Sequence, residues 1–227
     1  MHKRKQINFF WDIDGTILDT YGLGKKPFNI ALSRFFNRTI DISYYNFAGF
    51  TDYEIIQFFA SKYEYAVQDF EMEFILELYC AEYHKLTANQ NIMAFDHVKK
   101  FLSYEHHDYI VAHGIASGNC RGGGQLKLES SGLKKFFHSQ LFFASSEFPT
   151  RDELITFVSK TLGDSIVLIG DTPRDYYSAI KNGLRIISVA TGSFSFEQLS
   201  ALNPGFVLDK SWSVNEMRSL MHKLARD

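Results

Sequence analysis

Cysteine is scarce in this chain: there are two in 227 residues, Cys80 and Cys120, and neither lies at a CxxC or Cys/His spacing. That indicates neither a disulfide framework nor a cysteine-rich zinc site, and it predicts that both thiols pack. Charge of one sign is missing too. The 24 Lys and Arg against 26 Asp and Glu give a formal net charge of -2, and no basic run marks a sequence-independent nucleic-acid binder, so no nucleic-acid partner is expected. No apolar stretch approaches the ~20 residues of a membrane span. There is no internal repeat, low-complexity segment or Pro/Gly-rich linker. The start, "MHKRKQINFFWDID", is basic but lacks a long apolar segment followed by a small-residue cleavage site, which predicts a cytoplasmic protein rather than a secreted one.

What is abundant is apolar and aromatic. Hydrophobic residues make up 45% and aromatics 16% of the chain, enough for a sizeable core in one large domain or in a core with an insertion. The aromatics are scattered among charges and read as core and domain-contact packing. They leave monomer and homodimer open.

Apolar runs that end in polar or turn residues predict strands at "INFFWDI" (7–13), "YIVAHGIAS" (109–117), "QLFFAS" (140–145), "SIVLIGD" (165–171), "RIISVAT" (185–191) and "GFVLD" (205–209). Most are continuously apolar rather than alternating, as expected of a parallel sheet covered by helices on both faces. Helical spacing fills the gaps, as in "ELITFVSKTLG" and "DYYSAIKNG", each ending on a glycine, and "SVNEMRSLMHKLAR" reads as a closing amphipathic helix. The pattern predicts an α/β fold with a Rossmann-like, doubly wound parallel sheet. Residues 20–95 break the rhythm with three helical segments, at 27–38, 51–63 and 68–86. They predict a helical insertion after the first strand, joined by short connections near 17–22 and 90–97. The core is then 1–19 plus 96–227 and the insertion 20–95.

Ligands of open α/β sheets sit outside the carboxyl ends of the strands, so the strand-end residues belong together. The first strand ends in Asp12 and Asp14, and the second in Ser117, Gly118 and Asn119. The loop after the third carries Arg151; the fourth ends in Asp171, with Asp175 four residues on. Several carboxylates in one crevice repel one another unless a cation joins them. Mg2+ suits an all-oxygen site shared with phosphate. One carboxylate could attack phosphorus while another, two residues on, gives a proton to the leaving oxygen and later takes one from water. An arginine, a hydroxyl and a metal would then position and neutralise the transferred group.

Taken together, "DIDGT" (12–16), "ASGN" (116–119) and "GDTPRD" (170–175) resemble the motifs of the haloacid dehalogenase-like superfamily, in its phosphatase type with a helical cap (phosphoglycolate phosphatase-like). The resemblance covers nearly the whole chain, and "FAGFTDYEII" (47–56) is similar to a segment common in the family's caps. It implies that Asp12 is the nucleophile and a metal ligand, and that Asp14 is the acid/base, whose backbone carbonyl also binds Mg2+. It further implies that Ser117, Gly118 and Asn119 bind phosphate, that Asp171 completes the metal site, and that Asp175 is a second ligand or an orienting acid. The sequence departs from the family twice. Arg151 stands where a lysine is common, with Lys160 worse placed in the following helix, and "NIMAFDHVKKFL" (91–102) replaces a frequent Pro-Gly turn.

Plainer readings compete at several points. "DIDGT" alone could be a strand-end turn, but a second apolar strand ending in "GDTPRD" weighs against it. Ser117 could cap the next helix, a role compatible with binding phosphate. "GNCRGGGQ" (118–125) lacks the Lys-Ser/Thr of a P-loop and reads as flexibility at a helix start. His106 and His107 read as a solvated loop, and His113 has no partner at metal-binding spacing. Arg151 could be a first-turn surface arginine. The favoured function is a Mg2+-dependent phosphatase acting on a small phosphorylated metabolite. Its rivals are a phosphomutase, a 2-haloacid dehalogenase, in which Asp14 and the metal set would have no task, and an idle binding module, which would not need every acid intact. Specificity is expected near Gly22 to Lys26 and Phe47 to Asp52.

Overall fold

The apolar runs form strands because both of their faces are covered. In the computed structural model, residues 4–88, 92–163 and 165–225 are described. The chain runs through β1 (Lys5–Trp11) and a short β2 (Leu18–Asp19) into three helices, α1 (Lys25–Phe36), α2 (Asp52–Lys62) and α3 (Asp69–Thr87), and returns through β3 (Met93–Ala94) to α4 (Asp96–Leu102). Strand and helix then alternate: β4 (Tyr109–Ser117), α5 (Arg121–Ser130), β5 (Phe142–Ala144), α6 (Arg151–Leu162), β6 (Ile166–Gly170), α7 (Pro173–Lys181), β7 (Arg185–Val189), α8 (Phe196–Ser200), β8 (Phe206–Leu208) and α9 (Val214–Leu224).

Six of these strands form one parallel sheet in the order β5-β4-β1-β6-β7-β8. Side chains alternate across it. Phe9 and Trp11 pack on one face, with Phe101 of α4, Leu128 of α5 and Met217 of α9. Phe10 packs on the other, with Leu154 and Val158 of α6 and Ala179 of α7. His113 of β4 belongs to the first layer as an acceptor, taking the Trp11 indole N–H on Nδ1 at 3.2 Å. Burial lowers its pKa to about 3, so the ring is neutral and structural.

The sheet order reverses at β1, with β4 and β5 on one side and β6, β7 and β8 on the other. That is the switch point at which a crevice opens beyond the strand ends. The connections to α1–α3 are a two-stranded antiparallel ribbon, Leu18 opposite Ala94 and Asp19 opposite Met93, at positions where the sequence suggested only short links. Strands this short carry no readable period. Part of the link expected at 90–97 lies outside the described residues.

Several helices start on reciprocal caps. Thr51 and Glu54, Thr150 and Glu153, and Thr172 and Asp175 each exchange side-chain and backbone bonds across the first turn. Helix α5 is capped differently from the expectation. Ser117 is the last residue of β4 and does not cap it; Cys120 is the N-cap, its Sγ accepting from the Gly123 N–H at 3.4 Å.

Candidate active site

The crevice is built from the end of β1 outward. The Asp12 N–H continues the strand ladder to Ile169 O at 2.9 Å, and the chain then turns on Ile13 O, which accepts from the N–H groups of Thr16 and Ile17. Gly15 takes φ +76°, a left-handed conformation costly to other residues. Ile13, fully buried, anchors the turn. The two acids on either side of it leave in different directions.

Asp12 enters a buried acidic pocket. One of its oxygens accepts from Arg151 Nη1 at 3.2 Å, and the other arm of the same guanidinium, Nη2, bonds Asp175. Arg151 is buried in the first turn of α6 rather than on the surface. Asp175 is buried as well, and its second oxygen accepts the Thr172 N–H at 3.0 Å and hydroxyl at 2.8 Å. Both of its oxygens are therefore occupied, which fits an orienting acid better than a metal ligand. Asp171 accepts from the Thr16 hydroxyl at 2.9 Å. Its other oxygen sits in a notch where a Cβ on Gly15 would come within 2.5 Å and one on Gly192 within 1.7 Å. Burial and the neighbouring Asp12 charge raise the Asp171 pKa to about 8. Asp12, Asp171 and Asp175 bring carboxylate oxygens within 4.8 Å of one another. Once Asp171 is ionised, three carboxylates against one guanidinium leave two negative charges, and a hard divalent cation on Asp12 and Asp171 fits that excess.

Asp14 enters a cationic pocket instead. Lys127 Nζ, from α5, donates to both Asp14 oxygens at 2.9 and 2.6 Å and to Asn119 Oδ1 at 2.5 Å, so its three protons have three acceptors. Asn119 Nδ2 donates to Asp14 at 2.7 Å and to Ser117 Oγ at 2.9 Å. Burial by itself would lower the Lys127 pKa, but the Asp14, Tyr83 and Asp52 charges and the hydrogen bond to Asp14 together outweigh it, and the net shift is upward.

Helices α1–α3 and the loop before α2 close over these pockets. The Thr51 hydroxyl donates to Pro149 O at 2.5 Å, Asp52 N–H to Gly118 O at 2.8 Å, and Cys120 N–H to Asp52 Oδ2 at 2.8 Å. Glu54 pairs with Arg174 at 2.9 Å, and that guanidinium lies 3.7 Å from the centre of the Phe50 ring. Between the two parts lies a cavity of about 580 Å3, with Asp12, Asp14 and Arg151 on the core side and Phe28, Phe47 and Tyr79 on the helical side.

The family profile of the haloacid dehalogenase-like hydrolases matches residues 9–189. The chain belongs to this family. No sequence among the curated proteins matches it. Among solved structures, a predicted phosphatase from Clostridium acetobutylicum is similar at 20% identity, over 96% of this chain and 99% of that one, with a TM-score of 0.68. A candidate beta-phosphoglucomutase from Bacteroides vulgatus is 14% identical over 99% and 91%, with a TM-score of 0.70. A family hydrolase from Deinococcus radiodurans R1, with bound phosphate and sodium, is 17% identical over 98% of both chains, with a TM-score of 0.59. At these identities the likeness establishes the α/β fold. No helix among the described residues of this haloacid dehalogenase-like hydrolase is long and apolar enough to cross a membrane.

The structure brings the residues singled out in the sequence to one crevice. Asp12, Asp171, Asp175 and Arg151 share its acidic side. Asp14, Ser117 and Asn119 share the other, and Gly118 abuts the loop before α2, where a Cβ would come within 2.7 Å of Phe50 O. Sequence reading named Asp52 only as the end of a stretch expected to carry specificity, gave Thr16 no role, and missed Lys127. A signal for the lysine was present: 124, 127 and 128 form a buried stripe on α5 that Ser131, its C-cap, continues, and a charge on such a stripe needs a partner.

Proposed function

We propose that this protein is a Mg2+-dependent phosphatase that hydrolyses a small phosphorylated metabolite through an aspartyl-phosphate on Asp12, with residues 20–95 acting as its cap. The observation that carries the proposal is Asp12 itself, a nearly dry carboxylate at the switch point of the sheet, held by one arm of a buried arginine. Arg151 Nε is also buried and has no acceptor among the described residues, a donor suited to an anion bound beside Asp12. The phosphate in the Deinococcus relative supports the same class of ligand.

In this mechanism an Asp12 oxygen attacks phosphorus and the bond to the leaving oxygen breaks. Asp14, having taken up a proton from solvent on the oxygen it frees from Lys127, delivers it to that leaving oxygen, then draws one from the water that hydrolyses the acyl phosphate, which regenerates Asp12 and releases phosphate. Asp14 first exchanges one of its two Lys127 contacts for the leaving oxygen. Arg151 and the Ser117–Asn119 loop hold the phosphoryl oxygens, and Asp175 fixes Arg151. Asp12, the Asp14 backbone carbonyl and Asp171 would hold Mg2+, which would supply charge neutralisation for the transferred group. The cap excludes water and meets the rest of the substrate, with a cavity sized for a small metabolite.

The test is phosphate release from an aryl phosphate, with Mg2+ and with chelator, followed by a panel of phosphorylated metabolites. Turnover that needs the metal and falls at least ~1,000-fold in Asp12→Asn is expected. Return of phosphate to a second position on one sugar, in place of release to water, would make the protein a phosphomutase. Silence across the panel with Mg2+ present would sink the proposal.

A further inference from the structure

Three consecutive glycines, Gly122, Gly123 and Gly124, sit in the first turn of α5, where glycine disfavours the helical backbone relative to alanine. Their surroundings explain them better than flexibility does. A Cβ on Gly122 would come within 2.8 Å of Cys80 Sγ; one on Gly123 would come within 2.8 Å of the Tyr79 ring and 3.2 Å of Cys120 Sγ. Gly122 and Gly123 let α3 lie directly against α5, while Gly124 faces Phe142 and Ile13 of the core. This approach brings together the two cysteines of the chain: Cys80 Sγ and Cys120 Sγ are 3.7 Å apart, and both are free thiols. They come from opposite sides of the cavity. Cys80 belongs to the helical insertion. Cys120 follows Asn119 on the core and donates its N–H to Asp52.

We infer that Cys80 and Cys120 are a redox modification site, an oxidisable pair whose disulfide staples the helical insertion to the α/β core. The sulfurs need to close to about 2.05 Å. Cys80 is partly exposed and Cys120 buried, so an oxidant meets Cys80 first. The hydrogen bond from Cys120 lowers the Cys80 pKa, and the same bond raises that of Cys120, which places the reactive thiolate on Cys80. The oxidant class is a hydroperoxide. Cys80 takes one oxygen from it to become a sulfenic acid, releasing water; the Cys120 thiol then attacks that sulfur and a second water leaves. Two thiols and one hydrogen peroxide thus give one disulfide and two waters, the sulfurs losing two electrons. A small-molecule disulfide reaches the same product by exchange, leaving as two thiols. Stapled in this way, α3 cannot separate from α5, and the helical insertion can no longer swing away from the core to admit substrate or release product. The effect on turnover rests on the phosphatase proposal, whereas the cross-link does not.

The full chain is treated with hydrogen peroxide, or with oxidised glutathione, and then alkylated and mapped without reduction. The expected result is a monomeric product lighter by two hydrogen atoms, with no alkylated thiol, one peptide pair joining Cys80 to Cys120, and full reversal by dithiothreitol. Its thermal unfolding midpoint is expected to rise above that of the reduced chain. Aryl phosphate turnover is expected to fall at least ~10-fold on oxidation and to recover on reduction. Cys80→Ser, with Cys80→Ala as a second variant, is expected to keep its turnover through the same treatment. Alkylation of both thiols after oxidant, a link only between chains, or a sulfinic acid on Cys80 without a link would overturn the site. A link that leaves the unfolding midpoint unchanged would overturn the staple. These readouts need no substrate, so they stand apart from any failure of the phosphatase assay.

Discussion

Asp12 and Asp14 are one residue apart, yet they occupy opposite electrostatic environments. Around Asp12, three carboxylates face a single guanidinium. Around Asp14, one carboxylate faces an ammonium and an amide, and the charges cancel. Arg151 and Asp12 are nearly dry, whereas the Asp14 side chain is 38% exposed. The demand for a cation is therefore local, falling on the side where an anionic phosphoryl group would have to approach a carboxylate. The other side needs no further charge. What it offers is a carboxylate fixed in place and open to water, as a proton carrier requires. A single turn after β1, with a buried isoleucine and a left-handed glycine, separates the two.

The acidic side breaks first if its guanidinium loses its shape. Arg151 bridges Asp12 and Asp175 with two arms of one plane, which a lysine cannot do. Arg151→Lys is expected to lower kcat/KM for a phosphomonoester about 10- to 100-fold, roughly 1.4–2.7 kcal/mol, mostly through KM. Steady-state kinetics with Mg2+ present checks this. An unchanged KM would mean that the arginine does not hold phosphate and serves packing alone. The cationic side should yield less. Lys127→Met keeps the length of the buried stem but leaves Asp14 and Asn119 without their donor. Because Asp14 is partly hydrated, the expected stability loss is about 1–2 kcal/mol, below that of a fully buried pair. Urea unfolding measures it, and a loss near zero would show that solvent replaces the ammonium at no cost.

The two sides also differ in how much of them the sequence disclosed. Asp12, Asp171 and Ser117 stand at strand ends, where an apolar run stopping at a polar residue marks both element and site, and Arg151 opens the helix after β5, so the sheet and most of the crevice were legible. Lys127 sits inside a helix beside leucines, where its relation to Asp14 exists only after β1 and α5 are packed. The Cys80–Cys120 contact is of the same kind, since its partners are 40 residues apart and on different layers. The glycine run looked like looseness because a close helix approach has no local signature. Asp175 was visible as an acid, but its place in a capping box, with both oxygens occupied, depended on where Arg151 reached.

The smallest effect concerns a further carboxylate, which lies near the cationic side without a hydrogen bond to Asp14 or Lys127. Asp52 accepts the Cys120 N–H, and burial raises its pKa to about 6, with Lys127 opposing. In the unfolded chain the same group ionises near 3.9. As pH rises from about 4 to 6 the unfolded state therefore gives up this proton first, so folding stability falls over that window and is flat above it. Asp52→Asn keeps an oxygen for the Cys120 N–H and removes the titration. The stability difference between the variant and the parent is thus expected to shift in favour of the variant between pH 4 and pH 6.5. The ceiling is about 3 kcal/mol at 1.36 kcal/mol per pH unit, and about 1 kcal/mol is expected for a side chain that keeps some exposure. Urea midpoints for both proteins across that range measure the shift. Parallel curves would show that Asp52 is ionised throughout, stabilised by Lys127 as fully as Asp14 is, and the cationic pocket would then hold two carboxylates on one lysine.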